Sequence, residues 1–140
     1  MPSFTHLGAT ALLRLFPSLT KLDLSENSAM RYEQTFNPNG SAGLTELNCH
    51  ACRMLKTSQS VKRLSEHFPN VTWFDLGGEV PVTKTMMQVV SQSMSSLVYI
   101  GLAGCKTLTD EMIRGLHLPE LKELNLTWSY EKTCDYAKLR

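Results

Sequence analysis

Two cysteines three positions apart, Cys49 and Cys52, are the residues of this chain whose type and spacing could most directly do chemistry. A Cys-x-x-Cys pair can act as a redox couple or supply half of a zinc site. The redox couple needs a thiolate of low pKa at a helix start, and the zinc site needs two further ligands, but the sequence has no second Cys-x-x-Cys. A thiol oxidoreductase therefore stays an alternative that requires both thiols to react rapidly in the folded protein.

The other residues that could take part in catalysis or bind a metal do not occur in a recognisable motif. The four histidines are scattered without the spacing of metal ligands or of a nucleophile and its base; they are His6, His50, His67 and His117. No glycine-rich phosphate loop, nucleophile elbow or paired-carboxylate arrangement occurs. We therefore expect a protein that is not an enzyme, with no catalytic residues, no metal site and no cofactor.

The segments that carry these residues repeat along the chain. The pattern Leu-x-x-Leu-x-Leu-x-x-Asn/Cys begins at Leu19, Leu44, Val71, Leu97 and Leu121, so that successive starts lie 24 to 27 residues apart. The ninth position of the pattern holds Asn27, Cys52, Glu79, Cys105 and Ser129. A small polar or thiol side chain turned inward there can satisfy backbone groups left open as the strand ends. Repeat register thus accounts for both thiols, Cys49 at the sixth position and Cys52 at the ninth, whereas Glu79 breaks the series and predicts a distorted third turn.

The fourth repeat carries the most specific resemblance. After its strand come Cys105-Lys-Thr-Leu-Thr-Asp110 and then Leu-Pro-x-Leu-Lys-x-Leu-x-Leu from Leu118 to Leu126. This run resembles the cysteine-containing leucine-rich repeats of F-box/LRR proteins and of their ribonuclease-inhibitor-like relatives. The resemblance covers nearly the whole chain and implies an α/β leucine-rich repeat solenoid of about five repeats, with a parallel sheet on its concave face.

Each repeat predicts a strand and a connecting segment. We interpret residues 1–140 as one domain, with an N-terminal half-repeat (1–18), the repeats (19–128) and a C-terminal end (129–140). Strands are expected at 21–24, 46–49, 73–76, 97–102 and 122–126, and helices over 5–16, 55–67, 82–90 and 108–116. The segment after Asn27 predicts a loop with a short helical turn, and a degraded helix follows Ser129. Neither end shows a recognisable polar cap, as solenoid ends require.

Composition narrows the class of protein. The 140 residues include 14 basic and 13 acidic side chains, a formal net charge of +1, so no electrostatic footprint for nucleic acid is visible. No apolar run approaches the ~18 residues that predict a membrane span. Reduced cysteines at repeat positions favour an intracellular protein, with the cytoplasm as the favoured location. The first 22 residues contain no acid, which keeps a mitochondrial location possible.

Binding residues are expected on the concave sheet. The strand positions that alternate away from the core form one row of Lys21, Glu46, Trp73, Tyr99 and Glu123, and a second row of Asp23, Asn48, Asp75, Gly101 and Asn125. Since strands in a sheet lie ~4.8 Å apart, Trp73 and Tyr99 should be neighbours. Central aromatic residues with a polar rim are typical of an interface hot spot. We therefore predict that both rows bind a protein partner, with Gly101 contributing no side chain; alternatively, the two rings merely shield the sheet.

These patterns favour a non-catalytic protein–protein interaction scaffold that is a subunit of a larger assembly. Its protein partners would contact the concave sheet and the uncapped ends. The resemblance to F-box/LRR proteins implies substrate recognition in a ubiquitin ligase as one alternative, although the sequence shows no F-box. A second alternative is a structural or assembly subunit of a mitochondrial or cytoskeletal complex, similar to the small leucine-rich repeat proteins associated with mitochondrial ATP synthase.

Overall fold

The computed structural model describes residues 4–27, 43–52, 55, 57–78 and 80–129. Its centre is a five-stranded parallel sheet in which the strands are adjacent in chain order. The strands are β1 (Lys21–Asp23), β2 (Glu46–Asn48), β3 (Trp73–Asp75), β4 (Tyr99–Gly101) and β5 (Glu123–Asn125). The α/β class and the parallel sheet predicted from the repeats are confirmed.

The pairing register follows the repeat pattern. Each strand's central residue lies opposite the next strand's central residue; these residues are Leu22, Leu47, Phe74, Ile100 and Leu124. The first four are buried, whereas Leu124 on β5 is 37% exposed. Because side chains alternate along a strand, the residues on either side of these central positions lie on the opposite face of the sheet.

Four helices lie within the described residues: α1 (His6–Leu15), α2 (Ser58–His67), α3 (Lys84–Ser93) and α4 (Asp110–Arg114). The last three begin alike, because the hydroxyl of a threonine N-cap (Thr57, Thr83 or Thr109) accepts a hydrogen bond from a backbone N–H three residues later. Such a cap satisfies one of the open donors of the first turn and so fixes where the helix begins. The predicted start of the second helix at residue 55 is therefore wrong; Leu55 is buried but precedes the cap.

The helix of the fourth repeat is much shorter than predicted. Leu108 and Leu116 were expected within it, but α4 begins only at Asp110 and ends at Arg114. None of its residues is fully buried. Gly115 forms its C-cap, donating to the carbonyls of Glu111 and Ile113. Glycine is a poor helix former, and Pro119 follows soon after, so the helix stops after little more than one turn.

The core is a continuous layer between the sheet and the helices. It includes the central residues of β1 to β4, the apolar faces of α2 and α3, and the thiols of Cys49, Cys52 and Cys105. The two helices contact each other, as neighbouring repeats should. Packing of this layer fixes the strands and thereby the positions of the side chains on the opposite face of the sheet.

Each strand is followed by a turn with the same backbone conformation. The residue in the left-handed region is Glu26, Ala51, Gly78, Gly104 or Trp128, with φ between 55° and 84°. Four of these residues, all but Trp128, donate their N–H to the next turn's carbonyl, as in Ala51 to Gly77 at 2.9 Å. The turns therefore extend the backbone ladder of the sheet beyond the strands.

Three sequence predictions fall outside the described residues: the loop after Asn27, the distortion at Glu79 and the degraded helix after Ser129. Within the part of the chain that the structure does describe, no helix has the length and apolar character that crossing a membrane requires.

Candidate functional site

The open face is the side of the sheet away from the core, formed by the first and third residues of the five strands. Its first row contains Lys21, Glu46, Trp73, Tyr99 and Glu123, each opposite the next across a strand pair. Its second row contains Asp23, Asn48, Asp75, Gly101 and Asn125, in the same register. The structure thus brings all nine predicted binding residues to this face of the sheet.

Two aromatic rings occupy the centre of the first row. Trp73 and Tyr99 stack with their ring centroids 4.5 Å apart and their planes within 6° of parallel. Both side chains are half-buried. Their predicted adjacency is confirmed, and its cause is the direct pairing of the two residues across β3 and β4.

Charged residues flank the rings on both sides. On the β2 side, the ammonium of Lys21 lies 3.3 Å from a carboxylate oxygen of Glu46. On the β5 side, Glu123 is exposed, and the structure shows no ion pair for it among the described residues. The two flanks of the stack therefore differ: Glu46 is paired with Lys21, whereas Glu123 has no ion-pair partner among the residues that the structure describes.

The second row has a structural task that the sequence analysis missed. One side-chain oxygen of each polar member accepts a hydrogen bond from the backbone N–H two residues later: Asp23 from Ser25 (2.8 Å), Asn48 from His50 (3.0 Å), Asp75 from Gly77 (2.9 Å) and Asn125 from Thr127 (3.0 Å). These Asx turns end the strands. The signal was present in the sequence, since four of five repeats carry Asp or Asn at this position.

Asp23 shows the electrostatic effect of such a turn. Hydrogen bonds from the side chain and backbone of Ser25 lower the pKa of this carboxyl group, and Asn48 adds a further donor at 3.3 Å. A carboxylate that accepts several hydrogen bonds is stabilised in its charged form. Asp23 therefore contributes a permanent negative charge to one end of the open face.

Asp75, which was expected on the open face, is almost fully buried at 8% exposure. The same oxygen that caps the strand also lies 3.3 Å from Nδ1 of His50. The carboxyl group lies over Gly101, where a Cβ would approach its Cγ to 2.5 Å. The absence of a side chain at Gly101 thus lets Asp75 fold across β4, so it is largely withdrawn from any partner.

The cysteines are packed, as repeat register predicts. The side chains of Cys49, Cys52 and Cys105 are completely buried in the core. Burial raises the pKa of the Cys49 thiol well above its usual range and that of Cys105 to about 12. A redox pair needs the opposite shift, because the thiolate is the reactive species. The Cys49 thiol therefore has the opposite pKa shift from the one that a redox pair requires.

The ninth repeat position closes the strand ends from within. The side-chain amide of Asn27 donates to the carbonyls of Leu24 (2.9 Å) and Ser25 (3.2 Å). The hydroxyl of Ser129, which is fully buried, donates to the carbonyl of Leu102 and accepts from the N–H of Cys105. The inward role predicted for Asn27 is confirmed, and Ser129, which is neither asparagine nor cysteine, has the same role in the last repeat.

Among the described residues, no three His, Cys, Asp or Glu side chains are grouped closely enough to hold a metal ion. Comparison with known proteins finds neither a protein-family model nor a curated protein that matches this chain. The geometry of the open face is therefore the evidence for the function of this protein.

Proposed function

We propose that this chain is a leucine-rich repeat solenoid that serves as a non-catalytic protein–protein interaction scaffold in a larger assembly. The strands pair in chain order, and equivalent residues of the repeats carry out equivalent tasks, as the threonine caps and Asx turns do. Stacked repeats bury a continuous core and present one sheet face for binding. In such a solenoid the open face is the concave surface.

The observation that carries the proposal is the stack of Trp73 on Tyr99. Two large rings on an open sheet stack on each other and remain partly exposed, so a partner can cover the aromatic surface that is left. Tryptophan and tyrosine are the residues most enriched in hot spots, where a polar rim surrounds a central aromatic contact. Glu46 and Glu123 provide that rim along the row.

Binding explains these features better than chemistry does. The buried thiols of high pKa disfavour redox catalysis, and the polar second row is largely committed to ending the strands. What the open face offers is a rigid platform whose side chains are held at fixed spacing. Preorganisation of this kind lowers the cost of binding a partner.

The test is to replace Trp73 and Tyr99 by alanine together and to purify the tagged protein natively from its own cells. Because the rings form the centre of the proposed interface, we expect the stoichiometric partner of the wild-type protein to be lost. Removing a cross-strand aromatic pair should cost about 1 to 2 kcal/mol of stability, so the fold should persist, which far-UV circular dichroism would verify.

The matched control places alanine at Lys62 and Glu66, two exposed residues of α2 on the other side of the molecule. This variant should retain the partner. Recovery of the same partner with the Trp73/Tyr99 variant would refute binding through the open face. The partner's identity would further separate the alternatives, since a cullin adaptor would favour the ubiquitin ligase and a mitochondrial or cytoskeletal complex the structural subunit.

A further inference from the structure

The charges of the sheet are strongly biased in sign. The five strands contain four carboxylates, those of Asp23, Glu46, Asp75 and Glu123, but a single ammonium, that of Lys21. The chain as a whole has a formal net charge of +1. The positive excess therefore lies elsewhere. Because Asp75 is buried and Glu46 is paired with Lys21, the negative potential that the open face offers to a cationic group comes mainly from Asp23 and Glu123.

The ring geometry offers a place for such a group. Trp73 and Tyr99 stand one strand apart and stack nearly parallel, so the normals of their rings run roughly from strand to strand. One face of each ring is covered by the other ring. The outer face of Tyr99 is turned toward β5, where Glu123 is its direct neighbour in the row.

The two flanks of the stack are not equivalent as cation sites. Beside Trp73, Glu46 already has the ammonium of Lys21 at 3.3 Å, so a new cation would have to displace it. Beside Tyr99, the exposed Glu123 has no ion-pair partner in the described parts of the chain. A cation that lies on Tyr99 would therefore meet an aromatic ring and an unpaired carboxylate together.

Building on the proposed function, we propose that the open face binds an extended basic segment of a partner protein, with an arginine held between Tyr99 and Glu123. The planar guanidinium stacks on the outer face of the tyrosine ring and donates hydrogen bonds to the carboxylate. A lysine can form the ion pair but does not stack as a plane or bind the carboxylate in a bidentate manner. The site therefore prefers arginine over lysine.

The test uses synthetic peptides and the full chain. The four intervals of the five-stranded sheet span roughly 20 Å, which an extended peptide of about eight residues covers. A fluorescent peptide of alternating arginine and serine is titrated with the protein by fluorescence anisotropy, beside a lysine–serine and a glutamate–serine peptide. We expect the arginine peptide to bind at least about threefold more tightly than the lysine peptide, and the glutamate peptide not to bind.

Two substitutions locate the site. Glu123→Gln and Tyr99→Leu should each weaken binding of the arginine peptide about fivefold, from the loss of an exposed charge pair and of a cation–π contact respectively. Glu66→Gln on α2 removes the same charge far from the open face and should leave the affinity unchanged. Circular dichroism of each variant would confirm that it is folded.

Equal affinity for the arginine and lysine peptides, or an equal loss with Glu123→Gln and Glu66→Gln, would overturn the inference, because either result indicates attraction by net charge alone. The outcome is separable from that of the proposed function. If the peptides do not bind but the double variant Trp73→Ala with Tyr99→Ala still loses its native partner, the arginine site is refuted and the proposed scaffold function is retained. A partner retained by that double variant would remove both.

Discussion

Cys49 and Cys105 illustrate how burial decides what a single residue can do. Both thiols are completely enclosed by the core, and burial raises the pKa of each, that of Cys105 to about 12. A buried thiol that stays protonated behaves as a small hydrophobic group. Cys49 and Cys105 therefore contribute to the stability of the core as small apolar side chains.

We expect iodoacetamide at about pH 8 to label none of Cys49, Cys52 and Cys105 in the folded protein and all three after denaturation, since only an accessible thiolate is alkylated. Peptide mapping by mass spectrometry would assign each site. Rapid labelling of Cys49 or Cys52 in the folded state would contradict this account and restore the thiol oxidoreductase alternative.

The same raised pKa makes stability depend on pH. A group whose pKa is higher in the folded state stabilises the fold fully below its unfolded pKa, ~8.5 for a thiol, and loses that contribution as pH rises toward the folded value. Urea unfolding should therefore show a loss of about 2 kcal/mol for each of Cys49 and Cys105 between pH 7 and pH 10. In Cys105→Ala, which cannot ionise there, the loss should be smaller by that amount; an equal loss would show that folding does not raise the pKa of Cys105.

At the scale of elements, the turns after the strands show how one backbone geometry tolerates different residues. The left-handed conformation suits glycine, which occupies it at Gly78 and Gly104, but Trp128 adopts it with φ 59° while its side chain is 79% exposed. For a bulky residue this conformation is strained. The turn keeps its shape despite this residue, since the carbonyl of Thr127 accepts from the N–H of Gly104 and its N–H donates to the side chain of Asn125.

Trp128→Gly should stabilise the protein by about 1 kcal/mol, because it relieves the strain while little buried surface is lost. Gly104→Ala is the converse control and should cost about 1 to 2 kcal/mol, since it introduces a Cβ at φ 76°. Chemical denaturation of both variants would measure the changes. A destabilised Trp128→Gly would mean that the indole ring packs against the fold in solution.

The sequence predicts which elements form and how the strands pair, but it does not predict where the helices begin and end. The strand registers and the Trp73–Tyr99 contact were predictable, because apolar residues recur at a nearly constant interval and parallel strands align equivalent positions. The start of α2 and the end of α4 were not, since Thr57 and Gly115 decide them through local hydrogen bonds that periodicity does not reveal. The burial of Asp75 depends on a glycine one strand away, a contact no pattern within one repeat contains.

At the scale of the whole molecule, the two sides of the sheet have separate tasks. One side is a continuous apolar core that fixes the strands, and the other displays an aromatic pair and an excess of carboxylates at fixed spacing. Rigid display of a few large side chains is what a binding platform requires. We propose that a partner protein covers these rings.

Site-specific photo-crosslinking in living cells tests that claim most directly. Tyr99 is replaced by p-benzoylphenylalanine, which keeps an aromatic ring at the centre of the open face, and Gln88, an exposed residue of α3, is replaced in a control. We predict that illumination yields one discrete covalent adduct with a partner protein from position 99 and none from position 88. An adduct from position 88 with none from position 99 would contradict the account.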